Sequence, residues 1–395
     1  MKRFCFSILS LTFFLISFSQ SDKREMQKLI DDNIKSAAKQ YKYMRTILAD
    51  DKLPRSYDSV KNELITSGSD WWCSGFYPGT LWYLYEYTKD KSLMTEALRS
   101  TSLLEKEKNN TGTHDLGFMM GCSYGNANRI APKPGYKDIL LTSARSLATR
   151  FNPKVGCIRS WDSKKGDFLV IIDNMMNLEL LFWATKISGD SSFYKIAVTH
   201  ANTTLKNHFR SDNSSYHVLN YDEETGAVKE KKTAQGAANG SAWARGQAWG
   251  LYGYTATYRE TKDPIYLEQA KKIADFILTN TNLPADGIPY WDFNAPGIPN
   301  ALRDASAAAI MASALLELNK YVPGSLGNNY VALAKSIIKS LSGSIYKAKQ
   351  GTNGGFIIKH CVGHLPAKSE VDVPLTYADY YFIEALMRYK NWYLK

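Results

Sequence analysis

Apolar positions recur along this chain at helical spacing, and no segment alternates in the way a half-buried strand does. The periodic segments fall at about 24–46, 79–88, 91–108, 114–126, 136–151, 171–187, 190–209, 242–261, 264–280, 303–320, 328–345 and 373–393. The pattern therefore predicts an all-α fold of twelve helices. Three junctions repeat: Thr88-Lys89-Asp90 before Leu93 and Ala97, Ser188-Gly189-Asp190 before Phe193 and Ala197, and Thr261-Lys262-Asp263 before Tyr266 and Ala270. In each, the aspartate is placed to accept the orphan N–H groups of the next helix. This is a degenerate helix-pair repeat with its tight turn on one side each time. Six such hairpins predict a closed (α/α)6 barrel. An open superhelix is the alternative, but its inner helices have less use for so many aromatic residues.

The first nineteen residues follow a different pattern. Lys2 and Arg3 precede an apolar run from Phe4 to Phe18, and Ser17 and Ser19 flank a small-residue cleavage position before Gln20. This reads as a secretory signal, so residues 20–395 are expected to form a single catalytic barrel domain in an exported, periplasmic protein. The run is short for a membrane span, and no later window is apolar enough to be one. Loss of the leader lowers the formal charge from +11 to +9. A basic balance steers anionic partners, yet no Lys/Arg block or nucleic-acid motif accompanies it. Cys73, Cys122, Cys157 and Cys361 form no C-x-x-C pair. They read as buried thiols, with one bridge possible in an oxidising compartment.

Three long segments between helices, 210–241, 284–302 and 351–372, are candidates to rim one mouth of the barrel, since long loops in compact domains usually serve function. Aromatics make up 13% of the chain. Trp71, Trp72, Phe76, Trp82, Trp161, Trp243, Trp249, Tyr290 and Trp291 sit beside Asp, Arg, Gln or Gly. Flat apolar faces next to hydrogen-bonding groups suit sugar rings. Two carboxylates stand out. Asp115 lies where a helix begins, as either a cap or a functional acid. Asp173 opens an otherwise apolar helix with Asn177 on its face, and burial there raises a carboxyl pKa towards that of a general acid. Arg245, Trp249 and Tyr252 form one helical stripe. The guanidinium either grips a carboxylate ligand or ties down loop carbonyls. No nucleophile elbow, H-E-x-x-H, P-loop or dinucleotide motif is present. No cofactor and no metal are expected.

The sequences Trp72-Cys73-Ser74-Gly75-Phe76-Tyr77-Pro78-Gly79, His114-Asp115-Leu116-Gly117-Phe118, Ile172-Asp173-Asn174-Met175-Met176-Asn177-Leu178, Trp243-Ala244-Arg245-Gly246-Gln247-Ala248-Trp249 and Pro289-Tyr290-Trp291-Asp292-Phe293 resemble the unsaturated glucuronyl hydrolases of glycoside hydrolase family 88. The resemblance runs in order from about residue 70 to the C-terminus and implies an (α/α)6 barrel. It also implies removal of a C4=C5 unsaturated uronic acid by hydration of its vinyl ether. Asp173 then matches the general acid/base and Asp115 the second aspartate. His217 and Gln235 match a pair near the reacting carbons, while Arg245, Trp249, Trp72, Trp161 and His114 match pocket residues. The implied partners are unsaturated uronyl oligosaccharides of glycosaminoglycan or ulvan type. A related unsaturated rhamnogalacturonyl hydrolase, an α/α-toroid polysaccharide lyase using Tyr221 or His217 as base, and a non-catalytic glycan-binding protein are the alternatives.

Overall fold

The computed structural model describes residues 5–395, with side chains described from Gln20 onward. The expected leader, residues 1–19, lies outside the described side chains. Twelve α-helices follow in order: α1 (Cys5–Ile47), α2 (Phe76–Thr88), α3 (Lys91–Ser102), α4 (Asn126–Ile130), α5 (Tyr136–Ala148), α6 (Asn174–Ser188), α7 (Ser191–Asn207), α8 (Ala244–Thr261), α9 (Pro264–Thr279), α10 (Ala305–Asn319), α11 (Gly324–Ser342) and α12 (Thr376–Tyr393). A π-helix, Gly117–Gly125, runs directly into α4 and completes that element.

Two kinds of helix account for the double ring. On α10, every residue from Ala305 to Leu318 is buried, as an inner helix requires when it has neighbours on all sides. On α9, only Tyr266, Gln269, Ala270, Ile273, Ala274 and Ile277 are buried, a single stripe of the kind that covers an inner layer. The inner ring is α2, the π-helix with α4, α6, α8, α10 and α12, and α12 packs against both α10 and α2 to close it. The outer ring is α3, α5, α7, α9, α11 and α1, so the first helix supplies the outer partner of the last. Gly253 shows how tightly the inner helices meet. A Cβ there would lie 2.4 Å from the Met175 side chain.

The connections are asymmetric. Each inner helix except α12 reaches its outer partner through two to five residues, whereas each outer helix returns to the next inner one through far longer segments. The short turns carry the predicted caps: Asp90, Asp190 and Asp263 each accept a backbone N–H at the start of α3, α7 and α9. Lys89, Gly189 and Lys262 end the preceding helices in the left-handed conformation. The long returns all emerge at the opposite end, where the N-termini of the inner helices point.

Those returns correct one expectation, because the chain is not free of strands. Among the described residues, nine short strands form four small antiparallel sheets: β1 (Leu53–Asp58) with β2 (Glu63–Ser67), β3 (Phe151–Asn152) with β4 (Cys157–Ile158), β5 (Asp167–Ile171) with β6 (Val218–Asp222) and β7 (Val228–Lys232), and β8 (Cys361–His364) with β9 (Ser369–Val373). Two to six residues are too few for a period-two signal to emerge beside eighteen-residue helices. The sheets stiffen the mouth. Val155, Cys157, Phe168, Val170, Leu219 and Tyr221 form a small core of their own beneath the three-stranded sheet. Tyr290, Trp291, Ala295 and Val362 form another.

Candidate active site

The site lies where the inner helices begin. Asp173 stands at the N-cap position of α6 yet makes no cap hydrogen bond, so its side chain is not spent on the helix end. It is 9% exposed, and its Oδ2 is buried without a protein partner. Burial is the main reason its pKa rises to about 7; Arg245 opposes the shift and the charge of Asp115 adds to it. The Asp173 Oδ2 lies 3.8 Å from His217 Nε2.

The tautomer of His217 follows from its neighbours. Its Nδ1 accepts the backbone N–H groups of Ala234, at 3.1 Å, and Gln235, at 3.2 Å. A neutral ring bonded in this way carries its proton on Nε2, the atom facing Asp173. Burial, with the charge of Arg245, holds the His217 pKa well below its ordinary value, so the ring is neutral. Trp161 meets the ring edge-on at 5.8 Å and Trp243 lies 4.5 Å away, which fixes its plane. Trp249 Nε1 is likewise buried and unpartnered.

Asp115 precedes the π-helix and caps nothing; Thr113 Oγ1 donates to its Oδ2 at 3.3 Å. The π-helix is held by α6, where Asn177 Oδ1 accepts the Phe118 N–H at 2.9 Å. Gly117 makes that approach possible, because a Cβ there would lie 2.5 Å from the Asn177 Cα. Insertions of this kind recur beside functional sites. Here the extra width brings Asp115 and Asp173 to one mouth. His114, also buried, adjoins Asp115.

Of the two readings for Arg245, the structure shows the second. Its Nη1 donates to Asp304 Oδ2, at 3.2 Å, and to the Val362 carbonyl. Its Nη2 donates to Gln235 Oε1, at 2.6 Å, and to the Gly363 carbonyl, at 2.7 Å. The paired donors expected to grip a ligand carboxylate are thus occupied by β8 and Gln235. Arg245 ties three returns to the start of α8, and its charge reaches Asp173 without contact. Gln235 is correspondingly held through its side chain by Arg245 and through its backbone by His217.

Trp72 packs among Phe76, Phe118 and Tyr377 at the edge of the site. Trp71 is exposed on the rim, with the Arg55 guanidinium 4.3 Å from its ring. Two candidates fall elsewhere. Trp82 is core, its Nε1 donating to Thr101 on α3, and Tyr221, one proposed lyase base, is sealed in the core beneath the three-stranded sheet. The sequence reading missed Tyr377 on α12. Its hydroxyl is buried without a partner beside Trp72, and burial keeps it protonated. Tyr377 begins a helix at the end of the last return, as Asp173 does after its own, and that position was its only available signal. Cys73, Cys122, Cys157 and Cys361 are buried free thiols.

The profile of Glycosyl Hydrolase Family 88 matches residues 48–393. A protein of Formosa agariphila named unsaturated glucuronyl hydrolase is 45% identical over 394 residues, 98% of each chain. A protein of the same name from Bacillus sp. strain GL1 is 33% identical over 347 residues, 86% of this chain and 91% of its own. The crystal structure of an unsaturated glucuronyl hydrolase specific for heparin is 48% identical, with a TM-score of 0.89, over 92% of this chain and 97% of its own. The double ring, the buried acid at its mouth and these likenesses agree: the chain belongs to glycosyl hydrolase family 88.

Proposed function

We propose that this glycoside hydrolase removes the C4=C5 unsaturated uronic acid from the non-reducing end of lyase-generated oligosaccharides, with Asp173 as general acid and base. The observation that carries the assignment is a carboxyl whose pKa burial lifts to about 7 and whose buried Oδ2 has no hydrogen-bond partner. Such a group holds a proton at neutral pH and has it free to give.

The substrate's double bond bears the ring oxygen on C5, making it a vinyl ether. Transfer of the Asp173 proton to C4 forms the C4–H bond and leaves an oxocarbenium-like charge on C5 and the ring oxygen. The Asp173 carboxylate then takes a proton from the water that adds to C5. The resulting hemiketal opens to a C5 ketone and a C1 hemiacetal, which sheds the partner sugar. One carboxyl serves both proton transfers, unlike the two-carboxylate schemes of ordinary glycosidases. The Nε2–H of His217, 3.8 Å from Asp173 Oδ2, and the Nε1–H of Trp249, which also bears on the Asp173 carboxyl, are buried donors suited to substrate oxygens. Trp72 and Trp161 offer ring faces to the sugars, and Asp115 accepts from substrate hydroxyls.

A glycosaminoglycan origin for the oligosaccharide is supported ahead of ulvan. One relative is described as specific for heparin, and a Streptococcus agalactiae variant is described as complexed with dGlcA-GalNAc6S. The test follows the ultraviolet absorbance of the conjugated enoate on mixing the protein with sulfated and unsulfated unsaturated disaccharides. Loss of absorbance is expected, fastest with the preferred parent polymer. A gain of absorbance on intact polyuronate, with the disaccharides untouched, would instead establish a lyase.

A further inference from the structure

We propose that the barrel carries a second binding site at its short-turn end, which takes a small organic amine with an aromatic body. The inference does not depend on the hydrolase reading.

The site is a cavity of about 630 Å³ lined by α2, the π-helix, α4, α6, α8 and α12. Phe118 and Tyr381 bound it towards the mouth, with their rings 5.0 and 5.4 Å from that of Trp249. None of Asp115, Asp173, His217 and Arg245 borders it, so it lies beneath the candidate active site and apart from it. A volume of this size suits a small ligand.

Two features hold the space open. Gly121 and Gly125 stand four residues apart on the π-helix wall. A Cβ on Gly121 would meet nothing within 4 Å, and one on Gly125 only the Met120 carbonyl oxygen, at 3.9 Å. Neither glycine has a positive φ. Glycine is unfavourable inside a helix, and here neither the backbone nor a packed neighbour requires it. A side chain at Gly121 would enter the cavity. Glu179 is the second feature. Its side chain is 49% exposed in a run of buried neighbours on α6. On an inner helix, that surface faces the cavity.

The lining selects the ligand. Phe118, Trp183 and Tyr381 supply aromatic surface. Tyr381 is 2% exposed, and its hydroxyl makes no hydrogen bond among the described residues. The carboxylates of this end are short of cations. Arg129 is taken by Glu86, and Arg388 lies between Glu317 and Glu384. Arg259 is divided among Glu179, Glu260 and Glu317, and Lys186 also pairs with Glu260. Lys320, 4.2 Å from the Trp392 ring, pairs with none of them among the described residues. Burial raises the Glu179 pKa; Arg259 opposes the shift, and the charges of Glu317, Glu260 and Glu384 add to it. The inner helices also end here, each with the negative end of its dipole. An ammonium answers all of these at once: it donates to Glu179 and to the Tyr381 oxygen and rests against aromatic faces. A neutral sugar would use the aromatics and leave the Glu179 charge unanswered.

The experiment titrates the full chain with phenethylamine and with 2-phenylethanol, in which a hydroxyl replaces the ammonium, by calorimetry and saturation-transfer NMR. The amine is expected to bind at least about tenfold more tightly than the alcohol. Glu179→Gln keeps an acceptor for Arg259 and should cancel that preference. Gly121→Leu fills the cavity and should abolish amine binding, with denaturation curves to show that the variant folds. Gly121→Ala, whose methyl group fits the free space, gives the same test in weaker form. Binding of neither probe, equal binding of both, or amine binding unchanged in either the Glu179 or the Gly121 variant would overturn the proposal. Methyl glucoside binding in place of the amine would overturn it too and assign the cavity to a neutral sugar.

Discussion

At the scale of single residues, Asp173 makes two predictions that separate chemistry from folding. The proton given to C4 must be present, so kcat/KM should fall as pH rises through about 7, following the raised pKa of the buried carboxyl. Asp173→Asn should lower turnover by at least about 10²-fold and still bind the disaccharide, as calorimetry would show. Full activity in that variant would remove Asp173 from the chemistry. The same shift acts on stability with a definite sign. Between the ordinary carboxyl value of 3.8 and about 7, the folded chain holds a proton that the unfolded chain has released. Its contribution is complete below about 3.8 and is lost as pH rises through 7. Asp173→Asn should therefore unfold at higher denaturant than wild type at pH 8, by on the order of a few kcal/mol, with the gap closing towards pH 4. A gap that is the same at both pH values would contradict the buried, protonated acid.

At the scale of elements, the two ends of the barrel divide the labour. Asp190→Ala and Asp263→Ala each remove a helix cap at the short-turn end. Each should cost about 1 kcal/mol in chemical denaturation and leave kcat unchanged. Gly253→Ala should cost more, about 1–3 kcal/mol, because its Cβ would meet Met175 where α6 and α8 touch. A cap variant that lowered kcat would show that the far end communicates with the mouth. These elements were legible in the sequence, since Thr-Lys-Asp and Ser-Gly-Asp state their turns and caps locally. The apolar stripes state which helices are covered on one side. The sheets at the mouth were not legible, because β3 and β4 are two residues each and gain meaning only when paired. Nor was the work of Arg245, whose stripe with Trp249 suits a ligand carboxylate as well as it suits β8. Only the arrival of the Val362 and Gly363 carbonyls from more than a hundred residues away decides it. Asp173 was legible because a charged residue at the head of an apolar helix needs a reason wherever the chain folds.

At the scale of the whole molecule, two positive features bear on an anionic substrate, and they differ in how salt affects them. The chain carries a formal charge of +11. The inner helices also begin at the mouth, each bringing the positive end of its dipole. Surface charges act at distances beyond the ~10 Å screening length of 0.1 M salt, so their steering weakens as salt rises. The helix ends act within the first turn, well inside that screening length, so salt weakens them less. If steering contributes, kcat/KM for an unsaturated disaccharide should fall a few-fold between about 20 and 300 mM salt, with kcat at saturation unchanged. The methyl ester of the same substrate lacks the carboxylate charge and should show a much flatter response. A flat profile for both would assign the basic surface no part in capture and leave recognition of the carboxylate to the helix ends and the unspent donors of the pocket. A fall for both, the ester included, would point instead to salt acting on the returns that Arg245 clamps, and the buried Arg245–Asp304 pair would then be the contact to alter next.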